Sequence, residues 1–226
     1  MRFLFLLTCW LSLPHPDFWQ QQLAYPRVRA AYARCWPALH ARLRAEHLDS
    51  TRLEVFFRVI KTRRTLEVWA RNRGEARFRL WREYPLAAVS GTLGPKRRAG
   101  DGQTPEGCYF VDRFNPASTY HLSLGLNYPS DDDLLATGLD DPGGDIFLHG
   151  SNVTIGCLPL TDAGIEEVYL LAVAARAAGQ TRIEVTIFPF ALTDDELARR
   201  ADSPHAAFWR GLQPAYARFE RTRSLP

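Results

Sequence analysis

From residue 26 to 47 the apolar positions recur at three- and four-residue steps, Val28, Ala31, Cys35, Leu39 and Leu43, with arginines between them. That spacing predicts a helix with one apolar stripe. Pro37 lies inside the run and predicts a kink or a break into two helices, because proline offers no N–H to the preceding turn. The period then shortens to two. Leu53 to Ile60 is rich in Val, Phe and Ile, Leu66-Glu67-Val68-Trp69 alternates, and so does Arg77-Phe78-Arg79-Leu80-Trp81. These stretches predict antiparallel strands with one solvated face, and Arg71-Asn72-Arg73-Gly74 predicts a hairpin turn between two of them. A loop rich in Gly, Pro and charge runs from Gly91 to Gly107. Further strands are expected at Tyr109–Val111, Tyr120–Leu124, Asp145–Leu148 and Ile183–Phe188.

One helix interrupts the β-rich part. Thr161 can cap it, Asp162 and Glu166 favour its positive end, and Gly179 ends it. Ile165, Val168, Ala172 and Ala175 supply its apolar stripe. After Pro189, Thr193-Asp194-Asp195-Glu196 is a helix start signal, and 206–221 is a last amphipathic helical segment. Asp131-Asp132-Asp133 reads as a solvated charge run in a loop.

The N-terminus adds a separate element. Met1-Arg2 precedes an apolar stretch from Phe3 to Leu13, broken by Pro14. A basic start and an apolar core of about 11 residues fit an export signal or an uncleaved anchor, although no A-x-A site follows. The chain thus divides into a signal or anchor (1–20), a helical segment (21–50), a catalytic-size domain (51–192) and a C-terminal helical extension (193–226).

Composition narrows the classes. With 28 Lys+Arg against 25 Asp+Glu the charge is +3, and no dense basic run is interleaved with aromatics, so nucleic acid is not expected as a partner. Lysine occurs only at Lys61 and Lys96, and the remaining cations are arginines, whose planar fork suits carboxylates. Lys96-Arg97-Arg98 is either a carboxylate-binding loop or a solvated basic one. The four cysteines, Cys9, Cys35, Cys108 and Cys157, contain no CxxC pair, so neither a disulfide scaffold nor a zinc site has support. Cys35 and Cys108 are either a disulfide or two inert thiols.

The stretch Asp145-Ile146-Phe147-Leu148-His149-Gly150-Ser151-Asn152-Val153-Thr154-Ile155-Gly156-Cys157 carries the chemistry. An apolar strand delivers His149, a short polar loop reverses the chain, and Gly156-Cys157 precedes a capped helix. An imidazole beside a thiol takes its proton and generates the nucleophilic thiolate. The amides of Gly156 and Cys157 are oxyanion candidates. On spacing alone, a buried inert cysteine and an unrelated histidine remain the alternative.

This stretch resembles the active-site signature of the L,D-transpeptidases, the YkuD-domain family, and within it the YafK-like branch. His149-Gly150, Thr154-Ile155-Gly156-Cys157 and the Thr161-Asp162-led helix match in order. So do Gly94-Pro95-Lys96, Thr104-Pro105-Glu106-Gly107, Tyr120-His121-Leu122-Ser123-Leu124, Asn127-Tyr128-Pro129 and Ile187-Phe188-Pro189-Phe190. The likeness covers about residues 26 to 193. Two departures stand out: Ile155 replaces the second histidine found before Gly-Cys in the broader family, and Leu158-Pro159-Leu160 replaces its following Asn or Arg.

The resemblance implies an α+β fold, a β-rich sandwich-like domain with a helix after the cysteine and flanking terminal helices. It implies a cysteine-dependent peptidoglycan L,D-transpeptidase in the periplasm or cell envelope, needing no cofactor or metal. Cys157 would attack the third-residue carbonyl of a stem peptide and His149 would move the proton. His121, Ser123, Tyr128 and Gly150 would line the substrate cleft. Hydrolysis that releases a wall-attached lipoprotein is the alternative within the same fold. Outside it stand a degenerate wall-binding module and an unrelated thiol hydrolase.

Overall fold

The computed structural model describes residues 17–138 and 141–226. The Phe3–Leu13 stretch and Cys9 therefore lie outside the described residues. Two helices open the described chain, α1 (Phe18–Leu23), capped by the Asp17 side chain, and α2 (Pro26–Ala45), with proline in its first turn. The helix α2 runs through Pro37 as one element, so the expected break into two helices does not occur. Pro37 leaves the carbonyl of Ala33, an exposed residue, without its helical N–H partner.

The sheet is assembled from β1 (Leu53–Ile60), β2 (Thr65–Asn72), β3 (Arg79–Pro85), β4 (Gly107–Asn115), β5 (Ser123–Leu126), β6 (Phe147–His149), β7 (Leu158–Pro159) and β8 (Glu184–Phe188). Its order is β3-β2-β1-β8-β4-β5-β6-β7. The pairs β1·β8 and β6·β7 are parallel and the other pairs antiparallel, with β4 shared between the two limbs of the sheet. With its helices it forms an α+β architecture. Tyr120–Leu122, expected in a strand, form a turn instead, with His121 at φ 71°, and β5 starts only at Ser123.

The core lies on one face of this sheet. Val55, Phe57 and Val59 of β1, Val185 and Ile187 of β8, and Leu124, Leu148 and Leu158 pack there against α4 (Thr161–Ala177). That helix is buried continuously from Val168 to Ala175, well beyond the expected stripe, because α1 and α2 cover its outer side. The Thr161 hydroxyl accepts the Gly164 N–H at 3.3 Å, which makes it the capping side chain at the helix start.

On the opposite face, α6 (Ala206–Thr222) packs Phe219 against Phe56, Trp69 and Phe78, after the short helix α5 (Asp194–Ala198). Arg58 is buried under α6, bound to Glu67 at 2.6 Å and Glu220 at 2.5 Å. The aspartate run is not a solvated loop. It forms the first turn of α3 (Asp131–Thr137), where Ser130 and Asp133 cap each other reciprocally and Asp133 is buried. The unread signal was Ser130 followed three residues later by an acid that reaches back to the cap.

Candidate active site

The strands β5, β6 and β7 place the chemistry. Leu148 pairs with Leu158, and His149 with Pro159. Both leucines point into the core, so Phe147 and His149 face the other way, and Cys157 lies in the loop one residue before β7. Ser123 lies directly opposite His149 on β5 and shares this face.

The His149 ring is only 2% exposed and rests against Tyr120, with ring centroids 4.9 Å apart. Its Nδ1 lies 2.5 Å from the Gly150 carbonyl. A carbonyl only accepts, so Nδ1 carries the proton and the lone pair of neutral imidazole sits on Nε2. Burial pushes the His149 pKa down, and the Gly150 carbonyl partly offsets this.

The thiol of Cys157 is half-buried and donates to the Asp145 carbonyl at 3.4 Å. Burial raises its pKa, the Phe147 N–H and Lys96 oppose that, and Asp145 adds to it. The resting pair is thus a neutral thiol and a neutral imidazole. Ile155, just before Gly156, is 83% exposed.

Gly156 has φ +112°, and a Cβ there would come within 3.0 Å of the Gln103 carbonyl, so both conformation and space require glycine. Its N–H donates to the Ser90 hydroxyl at 2.6 Å. This corrects the expectation for the oxyanion donors: the Gly156 amide is already bonded, which leaves the Cys157 N–H. Removing the Ser90 acceptor orphans a buried N–H and is expected to cost about 1–3 kcal/mol. Ser90→Ala should therefore lower the thermal midpoint by roughly 2–12 °C; an unchanged midpoint would show the bond to be dispensable.

The other expected cleft residues divide. Tyr128 is buried and donates to the Pro142 carbonyl at 3.1 Å, packing on Tyr109, so it braces loops and does not line a cleft. His121 is drawn away by an ion-pair cluster. Its Nε2 lies 2.6 Å from Glu166, which also binds Arg34 at 2.9 Å and accepts from Cys35 at 3.4 Å. Gly150 uses its N–H on the Tyr120 and Leu122 carbonyls. Ser123 is buried behind His149. Lys96 is neither a carboxylate receptor nor solvated. It is buried and bound to Asp101 at 2.6 Å, and Asp101, which also accepts three backbone N–H groups, has its pKa lowered to about 2. Cys35 and Cys108 are both free, with burial first among the causes that push each thiol up to about 11.

Among the described residues no group of three or more His, Cys, Asp or Glu is placed to hold a metal ion. No described helix is long and apolar enough to cross a membrane.

The L,D-transpeptidase catalytic domain model (YkuD) matches residues 54–185. The chain belongs to the L,D-transpeptidase family. It is 36% identical over 174 residues to the protein named "Putative L,D-transpeptidase YafK" of Escherichia coli (strain K12), covering 76% of this chain and 69% of that one. Among solved structures, the helical cell shape determining protein Pgp2 of Campylobacter jejuni aligns with 19% identity and a TM-score of 0.48, covering 75% of this chain and 70% of that one. Its K307A mutant aligns with 24% identity and a TM-score of 0.47 over 60% of this chain and 47% of that one. The L,D-transpeptidase family model runs from β1 to the first residues of β8. The helices α1, α2, α5 and α6 lie outside its match.

Proposed function

We propose that this L,D-transpeptidase-family chain is a cysteine acyl-transfer enzyme of the cell envelope acting on peptidoglycan stem peptides. The observation that carries the reading is the β6–β7 register, which brings Cys157, one residue before β7, alongside the strand that ends in His149, whose imidazole keeps its lone pair on Nε2. Cys157 attacks the carbonyl of the third residue, a diamino acid, while Nε2 takes the thiol proton. The tetrahedral oxyanion is met by the Cys157 N–H, a donor of a kind whose removal typically costs about 2.7–4 kcal/mol. His149 then gives its proton to the leaving amine, and a thioester remains.

The thioester is resolved by an incoming amine, which gives transfer, or by water, which gives hydrolysis. The amine is that of a second stem peptide, or in the reverse sense the lysine of a wall-attached lipoprotein is the leaving group. Incubation with tetrapeptide muropeptides and, separately, with lipoprotein-linked sacculi tests this by product mass. Crosslinked dimers support transfer, and released lipoprotein supports hydrolysis. Binding to sacculi without product would leave a wall-binding module and overturn the enzymatic reading.

The pH dependence follows from the two groups. The base works only when neutral, so kcat/KM falls as pH drops through the His149 pKa, which burial holds below its usual value of about 6.5. Above that pKa the profile stays flat past pH 8, because burial keeps the thiol protonated there and the population of the reactive neutral pair no longer changes. Stability carries the same sign at acid pH. A neutral buried imidazole is stabilising above the unfolded pKa of about 6.5, and this is lost as pH falls from there toward the lower folded value. A pH profile of acylation with a maximum near 6 would contradict the assignment.

A further inference from the structure

We infer that Arg113 forms a carboxylate-binding subsite beside Cys157, an assignment that rests on the acyl-transfer reading above. Two links join the residue to the nucleophile. Arg113 of β4 is opposite Gly125 of β5 and Gly125 is opposite Phe147 of β6, while Arg113 binds the side chain of Asp145, whose main-chain carbonyl accepts the Cys157 S–H.

Gly125 is what lets the side chain cross β5. A Cβ on Gly125 would stand 2.4 Å from Cγ and 2.5 Å from Nε of Arg113, so the arginine stem lies over bare backbone. Gly125 is not among the residues with positive φ, so its own conformation does not call for glycine. A glycine within a strand weakens it and marks a close approach, and here the approaching group is Arg113. The guanidinium ends over the Phe147 ring, 4.7 Å from its centroid, which fixes the plane of its fork.

Its present partners are exchangeable. Arg113 binds Asp145 at 3.0 Å and has Asp112 at 3.7 Å, and the Asp145 side chain is 84% exposed. An ion pair so open to water contributes little, so an incoming carboxylate can take the place of Asp145 and receive two parallel N–H bonds from the fork. The Asp145 main-chain carbonyl is the acceptor of the Cys157 S–H. The cation therefore sits one residue from the nucleophile and half-exposed. A stem peptide supplies carboxylates within a few bonds of the attacked carbonyl, at the peptide terminus and, where the diamino acid is a dicarboxylate, on its side chain. Binding either one would hold the scissile carbonyl over the sulfur.

The test measures kcat/KM for the wild type and Arg113→Gln on three tetrapeptide muropeptides: unmodified, with the terminal carboxylate amidated, and with the side-chain carboxylate amidated. Arg113→Gln is expected to lose about 10- to 100-fold on the unmodified peptide, mostly in KM. Amidation of the bound carboxylate should cost the wild type a similar factor and the variant nothing further, and the peptide that erases the difference identifies which carboxylate is bound. Gly125→Ala, which keeps the charge but pushes the guanidinium aside, should show the same selectivity. An equal loss of Arg113→Gln on all three peptides overturns the subsite. A wild type that forms no Cys157 adduct with any of them overturns the underlying function instead.

Discussion

Cys157→Ala forms no acyl adduct and loses turnover on tetrapeptide muropeptides by at least about 10⁴-fold, since removing the nucleophile of a covalent mechanism leaves only the residual catalysis of binding and oxyanion contacts. Intact-mass spectrometry reads the adduct and product analysis reads the rate. Cys35→Ala, by contrast, keeps both. The Cys35 thiol is held against the Glu166 carboxylate and raised to about 11, with burial as the largest cause, so it is a poor nucleophile at neutral pH. Cys157 is distinguished by its surroundings: a place one residue before the strand that pairs with β6, a thiol that donates to the Asp145 carbonyl, and a partly open surface. An adduct that persists in Cys157→Ala would end the assignment.

Glu106→Ala is expected to destabilise the chain by about 3–5 kcal/mol, because it strands a buried cation. Glu106 is fully buried and accepts from Lys61, the Gly94 N–H and the Trp209 indole, each at 2.8 Å. Lys61 also donates to the carbonyls of Thr104 at 3.0 Å and Thr92 at 3.1 Å. This cluster ties the 92–106 loop to the end of β1 and to α6. Through the Gln103 carbonyl the same loop lies against Gly156. The thermal midpoint should fall by roughly 6–20 °C, and acylation should weaken as the Gly156 backbone loses its support. Lys61→Met/Glu106→Gln removes both charges together and should recover part of the loss, with a coupling of about 0.5–3 kcal/mol. A cost below about 1 kcal/mol for Glu106→Ala would show that the loop does not depend on this pair.

Much of the secondary structure was legible because it rests on local rules. The period-two stretch 53–60 became β1 with unchanged limits, and the cap at Thr161 starts α4. The misreadings around the site share one cause. Tyr120 to Leu122 has strand composition, yet Arg27 from α2 grips the His121 carbonyl and Glu166 from α4 takes its ring, which holds a turn. Tyr128 and Gly156 looked available from their neighbours in sequence. Their partners, Pro142 for one and Ser90 for the other, come from loops elsewhere in the chain. Ser90 itself sits in a stretch with no motif, and Arg113 reaches Asp145, 32 residues away.

The linear chain determined which atoms are present for chemistry: the Cys157 thiol after a glycine and a short polar loop, the His149 imidazole at a strand end, and the periodicities that deliver both. Tertiary structure decided how they are used. Strand register fixes which side chains share a face, and long-range hydrogen bonds decide which donors stay free. Neither leaves a trace in the residues next to the site, because both are set by partners far along the chain.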